Sequence, residues 1–136
     1  MAIRILIADD DAAIRRLLRR LIETRGDWTV CADACDGQEA VQKTDLLKPD
    51  VVVLDLAMPD MNGLQAAREI SRTHPDVPLL LLTVQQVSKE LRHEALSAGC
   101  RGALSKNTGS EVVHAIEVLL NNQNFFQPIR NDTPVW

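Results

Sequence analysis

Three aspartates, a threonine and a lysine in this chain have the types and spacing needed for chemistry on a phosphoryl group. Asp9, Asp10, Asp55, Thr83 and Lys106 stand at the downstream ends of short apolar runs, Asp9 and Asp10 sharing one run. Gathered carboxylates repel and raise one another's pKa unless a cation neutralises them. Mg²⁺ suits such a set, because it takes oxygen ligands and is held by one or two carboxylates with water and phosphate oxygens as the rest. Mn²⁺ suits the same ligands. A carboxylate beside the cation can act as a nucleophile toward phosphorus and become an aspartyl phosphate. Positioning and charge neutralisation are then the main requirements. Lys106 offers a mobile point charge to phosphoryl oxygens, and the Thr83 hydroxyl can donate a hydrogen bond to the same group.

Each residue also has a plain structural role. One of Asp9, Asp10 and Asp11 can be a helix N-cap, though not all three. Asp55 can be a turn residue, Thr83 a strand residue and Lys106 a surface lysine. Singly these readings are at least as good as the chemical one. Jointly, the right group at four separate run ends makes coincidence improbable.

The apolar runs are Ile3–Ala8, Val51–Leu54, Leu79–Leu82 and Gly102–Ser105. Runs this short, bounded by turn residues and separated by helical patterns, predict buried parallel strands. The C-termini of parallel strands lie on one edge of the sheet, where ligand sites form. The sequence thus predicts one cleft holding three carboxylates, a hydroxyl and an ammonium.

The helical patterns lie between those runs. Asp11 is placed as the N-cap of a helix carrying Ile14, Leu17, Leu18, Leu21 and Ile22, with Gly26 as its stop. Trp28–Cys35 predicts a second strand, and Asp36-Gly37 a turn into a helix with Ala40, Val41, Thr44 and Leu47 inside. Met58–Gly63 reads as a loop before a helix over Leu64–His74. Val87–Gly99 is a fourth helix with Leu91 and Ala95 on its inner face, and Val112 to Leu120 forms the last. Strictly alternating strands and helices imply an α/β, doubly wound parallel sheet of five strands with right-handed crossovers.

With 136 residues, 46% hydrophobic and 25% charged, the chain has the balance of one ordinary globular domain. Residues 1–121 are expected to be that domain, and 122–136 a polar tail or linker stump with Pro128 and Pro134. A net charge of −4 gives no overall pull toward nucleic acid. Arg15, Arg16, Arg19, Arg20 and Arg25 fit the solvent face of a helix. Cys31, Cys35 and Cys100 are read as small buried thiols, because their odd count argues against a disulfide framework. Cys31 and Cys35 would stand about 13 Å apart on one side of a strand, too far to bridge. Neither a signal-peptide pattern nor a membrane-length apolar stretch is present, so a soluble, cytoplasmic protein without membrane contact is expected.

The segments Ile5–Asp10, Pro49–Gly63, Leu82-Thr83 and Ala98–Lys106, in that order and spacing, resemble a two-component response-regulator receiver domain. The motif style is similar to receivers of the LuxR type. This resemblance covers residues 2 to about 121 and implies a flavodoxin-like (βα)5 fold, strand order 2-1-3-4-5, an order for which a receiver is itself a standard example. It implies that a histidine kinase or a phosphotransfer protein donates a phosphoryl group to Asp55. Asp9, Asp10, Asp55 and the Ala57 backbone carbonyl would hold Mg²⁺, and Thr83 and Lys106 would bind the phosphoryl group. Homodimerisation through the fourth or fifth helix is a further family-level expectation.

Several positions depart from the family's pattern. Receivers commonly carry Tyr or Phe three residues before the lysine as a rotameric switch, where this chain has Ala103, so the usual aromatic readout cannot operate. Val84 replaces a frequent Ala beside Thr83. Asn107 replaces the proline that often follows the lysine, which puts a cis peptide there in doubt. Ala57 and Gln85 offer no acid or base for attacking water. Four readings follow: a phosphorylatable switch acting through a changed protein–protein surface, the receiver half of a DNA-binding regulator, a dehalogenase-type phosphatase, and a phosphorylation-independent binding module. The phosphatase would need an Asp where Ala57 stands. No segment of these 136 residues is fit to read DNA.

Overall fold

The computed structural model describes residues 2–128. The strands are β1 (Ile3–Ala8), β2 (Trp28–Ala34), β3 (Val51–Asp55), β4 (Leu79–Thr83), β5 (Gly102–Ser105) and β6 (Phe125–Phe126). The helices are α1 (Ala12–Ile22), α2 (Gly37–Leu47), α3 (Gly63–Thr73), α4 (Lys89–Ser97) and α5 (Val112–Leu120), the last preceded by a 3₁₀ segment over Lys106–Glu111. All pairings are parallel, and the order is β2-β1-β3-β4-β5-β6. The expected five-stranded order is present, and a sixth strand extends it past residue 121. Of the expected tail, residues 129–136 lie outside the described residues.

Period-two alternation sorts the strand side chains into two apolar layers. Leu6, Val52, Leu54, Leu79, Leu81 and Ala103 join one layer with α2, α3 and α4 residues such as Ala40, Ile70 and Ala95. Ile5, Ile7, Val51, Val53, Leu80, Leu82 and Leu104 join the other with Leu18 and Ile22 of α1 and Ile116 of α5. Both faces of the sheet are therefore dry, and polar chemistry is confined to the strand ends.

Caps define the helix starts. The Asp11 side chain accepts from Ala13 N–H at 2.8 Å, as expected of an N-cap. Asn62 and Gln65 form a capping box that starts α3. Three local expectations need correction. α1 ends at Ile22, before Gly26. The α1 arginines are not all solvated: Arg15 and Arg19 reach back to backbone carbonyls of Asp9 and Val30. Arg25 pairs with Glu117 and lies 4.9 Å from the Trp28 ring centroid. The cysteines are not uniformly buried either. A register shift opposite Ile5/Leu6 bulges β2 at Cys31, whose thiol faces the Ile5 carbonyl, and Cys35 is exposed beyond the strand. Cys100 is buried, which pushes its thiol up to about 12. Among the described residues no helix is long and apolar enough to cross a membrane, and no peptide bond is cis, Lys106–Asn107 included.

Candidate functional site: an acidic cleft at the strand ends

β1, β3, β4 and β5 deliver their last residues to one edge. Asp9 and Asp10 follow β1, Asp55 ends β3, Thr83 ends β4 and Lys106 follows β5. Carboxylate oxygens of Asp9, Asp10 and Asp55 all lie within 4.8 Å of one another. Asp55, Ala57, Thr83, Val84, Gln85, Asp10 and Lys106 line a cleft of about 370 Å³. The sequence-predicted residues are thus brought together without exception.

Lys106 Nζ lies 2.6 Å from Asp9 Oδ2 and 3.1 Å from Asp55 Oδ1. Asp9 is 0% exposed and Asp55 3%. Two buried carboxylates therefore share one ammonium, and the pair carries surplus negative charge. Burial, and then the charge of Asp9, push the Asp55 carboxyl above its ordinary range, against the opposing pull of Lys106 and of the Ala57 N–H. Burial alone would lower Lys106, but hydrogen bonds to and charges of Asp9 and Asp55 outweigh it and hold the ammonium up. Asp9 Oδ2 is fully buried and, among the described residues, meets only the Lys106 ammonium, at 2.6 Å, so it keeps lone-pair capacity that no backbone or hydroxyl donor fills. An unfilled oxygen, surplus charge and a third carboxylate nearby fit a hard divalent cation.

The backbone holds this arrangement closely. Asp9 Oδ1 accepts from Asp11 N–H at 2.9 Å, fixing the Asp9 rotamer at the start of α1. Arg15 Nη1 donates to the Asp9 carbonyl at 2.6 Å, and its Nε faces Asp33 at 3.3 Å. Arg15 was missed by sequence reasoning, because a helical wheel places it on the polar face and does not show which way its long side chain reaches. A Cβ at Gly63 would stand 2.3 Å from the Asp55 carbonyl oxygen, so the loop can return against β3 only with glycine there. Gln85 N–H donates to the Thr83 hydroxyl oxygen at 3.2 Å, which leaves the hydroxyl hydrogen available to the cleft. Val84 is 65% exposed at the rim. Ala103 is fully buried and pairs with Leu81.

Residues 5–117 match the family described as response regulator receiver domain. The transcriptional regulatory protein YdfI of Bacillus subtilis is 36% identical over 126 residues, covering 92% of this chain and 58% of that protein. The response regulator GacA of Pseudomonas viridiflava is 34% identical over 127 residues, covering 93% and 59%. This chain thus spans less than two thirds of the length of these relatives. Among solved structures, a LuxR-family two-component response regulator from Aurantimonas sp. SI85-9A1 superposes with a TM-score of 0.89 at 33% identity, covering 94% of this chain and 91% of that one. The acidic strand-end cleft, the sheet order and these matches agree: the chain belongs to the response-regulator receiver domain family of two-component signalling.

Proposed function

We propose that this chain accepts a phosphoryl group on Asp55 from a histidine kinase or phosphotransfer protein, and that the modified cleft changes its protein–protein surface. The observation that supports this best is the sharing of Lys106 between buried Asp9 and Asp55 beside Asp10. An Asp55 carboxylate oxygen would attack phosphorus while the bond from phosphorus to the donor breaks. The electron pair leaves with the donor, as imidazole from a phosphohistidine or as acetate from acetyl phosphate. Asp9, Asp10, Asp55 and the Ala57 carbonyl would hold Mg²⁺, with Mn²⁺ as an alternative. The cation would supply neutralising charge for the carboxylates and the phosphoryl oxygens. Lys106 would move from Asp9 toward the new oxygens, and the Thr83 hydroxyl would donate to one of them. Ala57 and Gln85 supply no general base for water, so the aspartyl phosphate should be lost slowly.

A second reading is favoured by the relatives' names and by the coverage of 58–59%: the chain serves as the receiver part of a longer transcriptional regulator. Nucleic acid would then be read elsewhere than in the described residues. A cytoplasmic setting and pairing of two copies through α4 or α5 accompany either reading. Incubation with acetyl phosphate and Mg²⁺, followed by intact-mass measurement, tests the shared core. One phosphoryl adduct, absent without Mg²⁺ and absent in Asp55→Asn, is expected. An unlabelled chain under conditions that label another receiver would overturn it.

A further inference from the structure

β5 is short, and Gly102, Ala103 and Ser105 give it little side-chain volume. The chain returns to fill that edge. Phe125 N–H donates to the Arg101 carbonyl at 2.9 Å and Gln127 N–H to the Ala103 carbonyl at 3.0 Å. Gln127 Oε1 accepts from Ser105 N–H at 2.7 Å. A Cβ at Gly102 would lie 2.5 Å from the Phe125 carbonyl oxygen, so this approach needs glycine at 102. Phe126 packs on the core layer that contains Ala103, and its ring centroid lies 5.1 Å from the Arg92 guanidinium of α4. Phe125 meets His114 of α5 edge-on at 5.5 Å. One short segment is therefore tied to α4, β5 and α5 together.

The same segment is tied to the cleft. Ser105 pairs in register with Thr83 and immediately precedes Lys106. Both candidate phosphoryl contacts thus flank the residue whose N–H holds Gln127. With Ala103 inside β5, the aromatic group over this place is Phe126, delivered from the neighbouring strand.

We propose that Phe125–Gln127 is a docked output strap, seated on the β5 edge while Asp55 is unmodified and released from it when Asp55 carries a phosphoryl group. This rests on the phospho-acceptor reading and adds the element through which the signal leaves. A phosphoryl group would draw the Lys106 ammonium and the Thr83 hydroxyl to new oxygens and shift the backbone between them. The Ser105–Gln127 bond lies at that point. A strand of two residues is the shortest in the sheet and the element expected to open first.

The test is amide hydrogen exchange by NMR on the whole chain, before and after acetyl phosphate with Mg²⁺, with Asp55 occupancy read by mass on the same sample. Phe125 and Gln127 amides should exchange about tenfold faster or more in the modified protein, while α5 amides hold. Asp55→Asn should show no change. An adduct with unchanged or greater protection at Phe125 and Gln127 overturns the strap and leaves the acceptor reading standing. Failure to form any adduct overturns both. In a second experiment, Phe126→Ala should free the strap and, by reciprocity of coupling, tighten Mg²⁺-dependent beryllofluoride binding about fivefold or more. Unchanged affinity with the strap freed would also overturn the coupling.

Discussion

The acidic edge around β1 and β3 and the outer edge around β5 and β6 are built in opposite ways. At the acidic edge, local chain segments determine each functional group: Asp11 N–H fixes Asp9, Arg15 clamps the Asp9 carbonyl, and Gly63 packs on the Asp55 carbonyl. At the outer edge β5 has surrendered side-chain volume, and a segment beyond α5 supplies it. The carboxylates sit on strands buried from both sides, and the proposed strap sits on the strand with the least side-chain volume. In physical terms, the first region is expected to be the more rigid, because backbone and side-chain groups hold Asp9 and the loop after Asp55 in place. The second is expected to open more readily, because its strand has two residues and only β5 as a neighbour in the sheet.

The largest effect that sharpens this contrast is a core truncation. Leu54 is fully buried beside the acidic edge, and Leu54→Ala should cost about 3–5 kcal/mol in urea unfolding. A loss below about 1 kcal/mol would show that β3 is not the rigid part.

Mg²⁺ comes next. At a hundredfold excess over its dissociation constant it should raise unfolding free energy by about 2.7 kcal/mol. The gain should vanish in Asp10→Asn combined with Asp9→Asn. An equal gain in that variant would place the cation elsewhere.

Phe126 is half-buried, so Phe126→Ala should cost only about 1–2 kcal/mol, less than Leu54→Ala. A cost equal to that of Leu54→Ala would make β6 part of the rigid body and weaken the distinction between the edges.

The smallest effect is electrostatic and has the opposite sign. Without divalent cations, Asp55→Asn should stabilise the fold and raise the melting midpoint by a few degrees. The native Asp55 carboxyl is pushed above its ordinary value of 3.8, chiefly by burial. As pH rises past that value, Asp55 in the unfolded chain ionises first. The wild type then loses stability relative to Asn until pH exceeds the native pKa, above which the difference is constant. Melting scans from pH 3 to pH 8 test this, and a destabilised variant at neutral pH would contradict it.

The acidic edge was legible in the sequence because Asp9, Asp55 and Thr83 each mark a sharp step from an apolar run to a polar residue. That step survives any error in helix boundaries. The parallel, doubly wound sheet followed from the alternation of runs, and the strand order only from the family resemblance. Phe125–Phe126 was not legible as a strand, because two residues carry no period and β6 exists only through its partner β5. The inward reach of Arg15 and Arg25 was hidden for a different reason. Long side chains attach on the polar face yet bend back to carbonyls and rings. The bulge at Cys31 breaks the alternation that predicts one shared side for Cys31 and Cys35.

The most direct measurement is intact mass after acetyl phosphate treatment, with and without Mg²⁺, for the wild type and Asp55→Asn. A single Mg²⁺-dependent phosphoryl adduct on the wild type alone is the predicted result. An adduct that persists in Asp55→Asn, or none on a wild type treated beside a labelled control receiver, would contradict Asp55 as the acceptor.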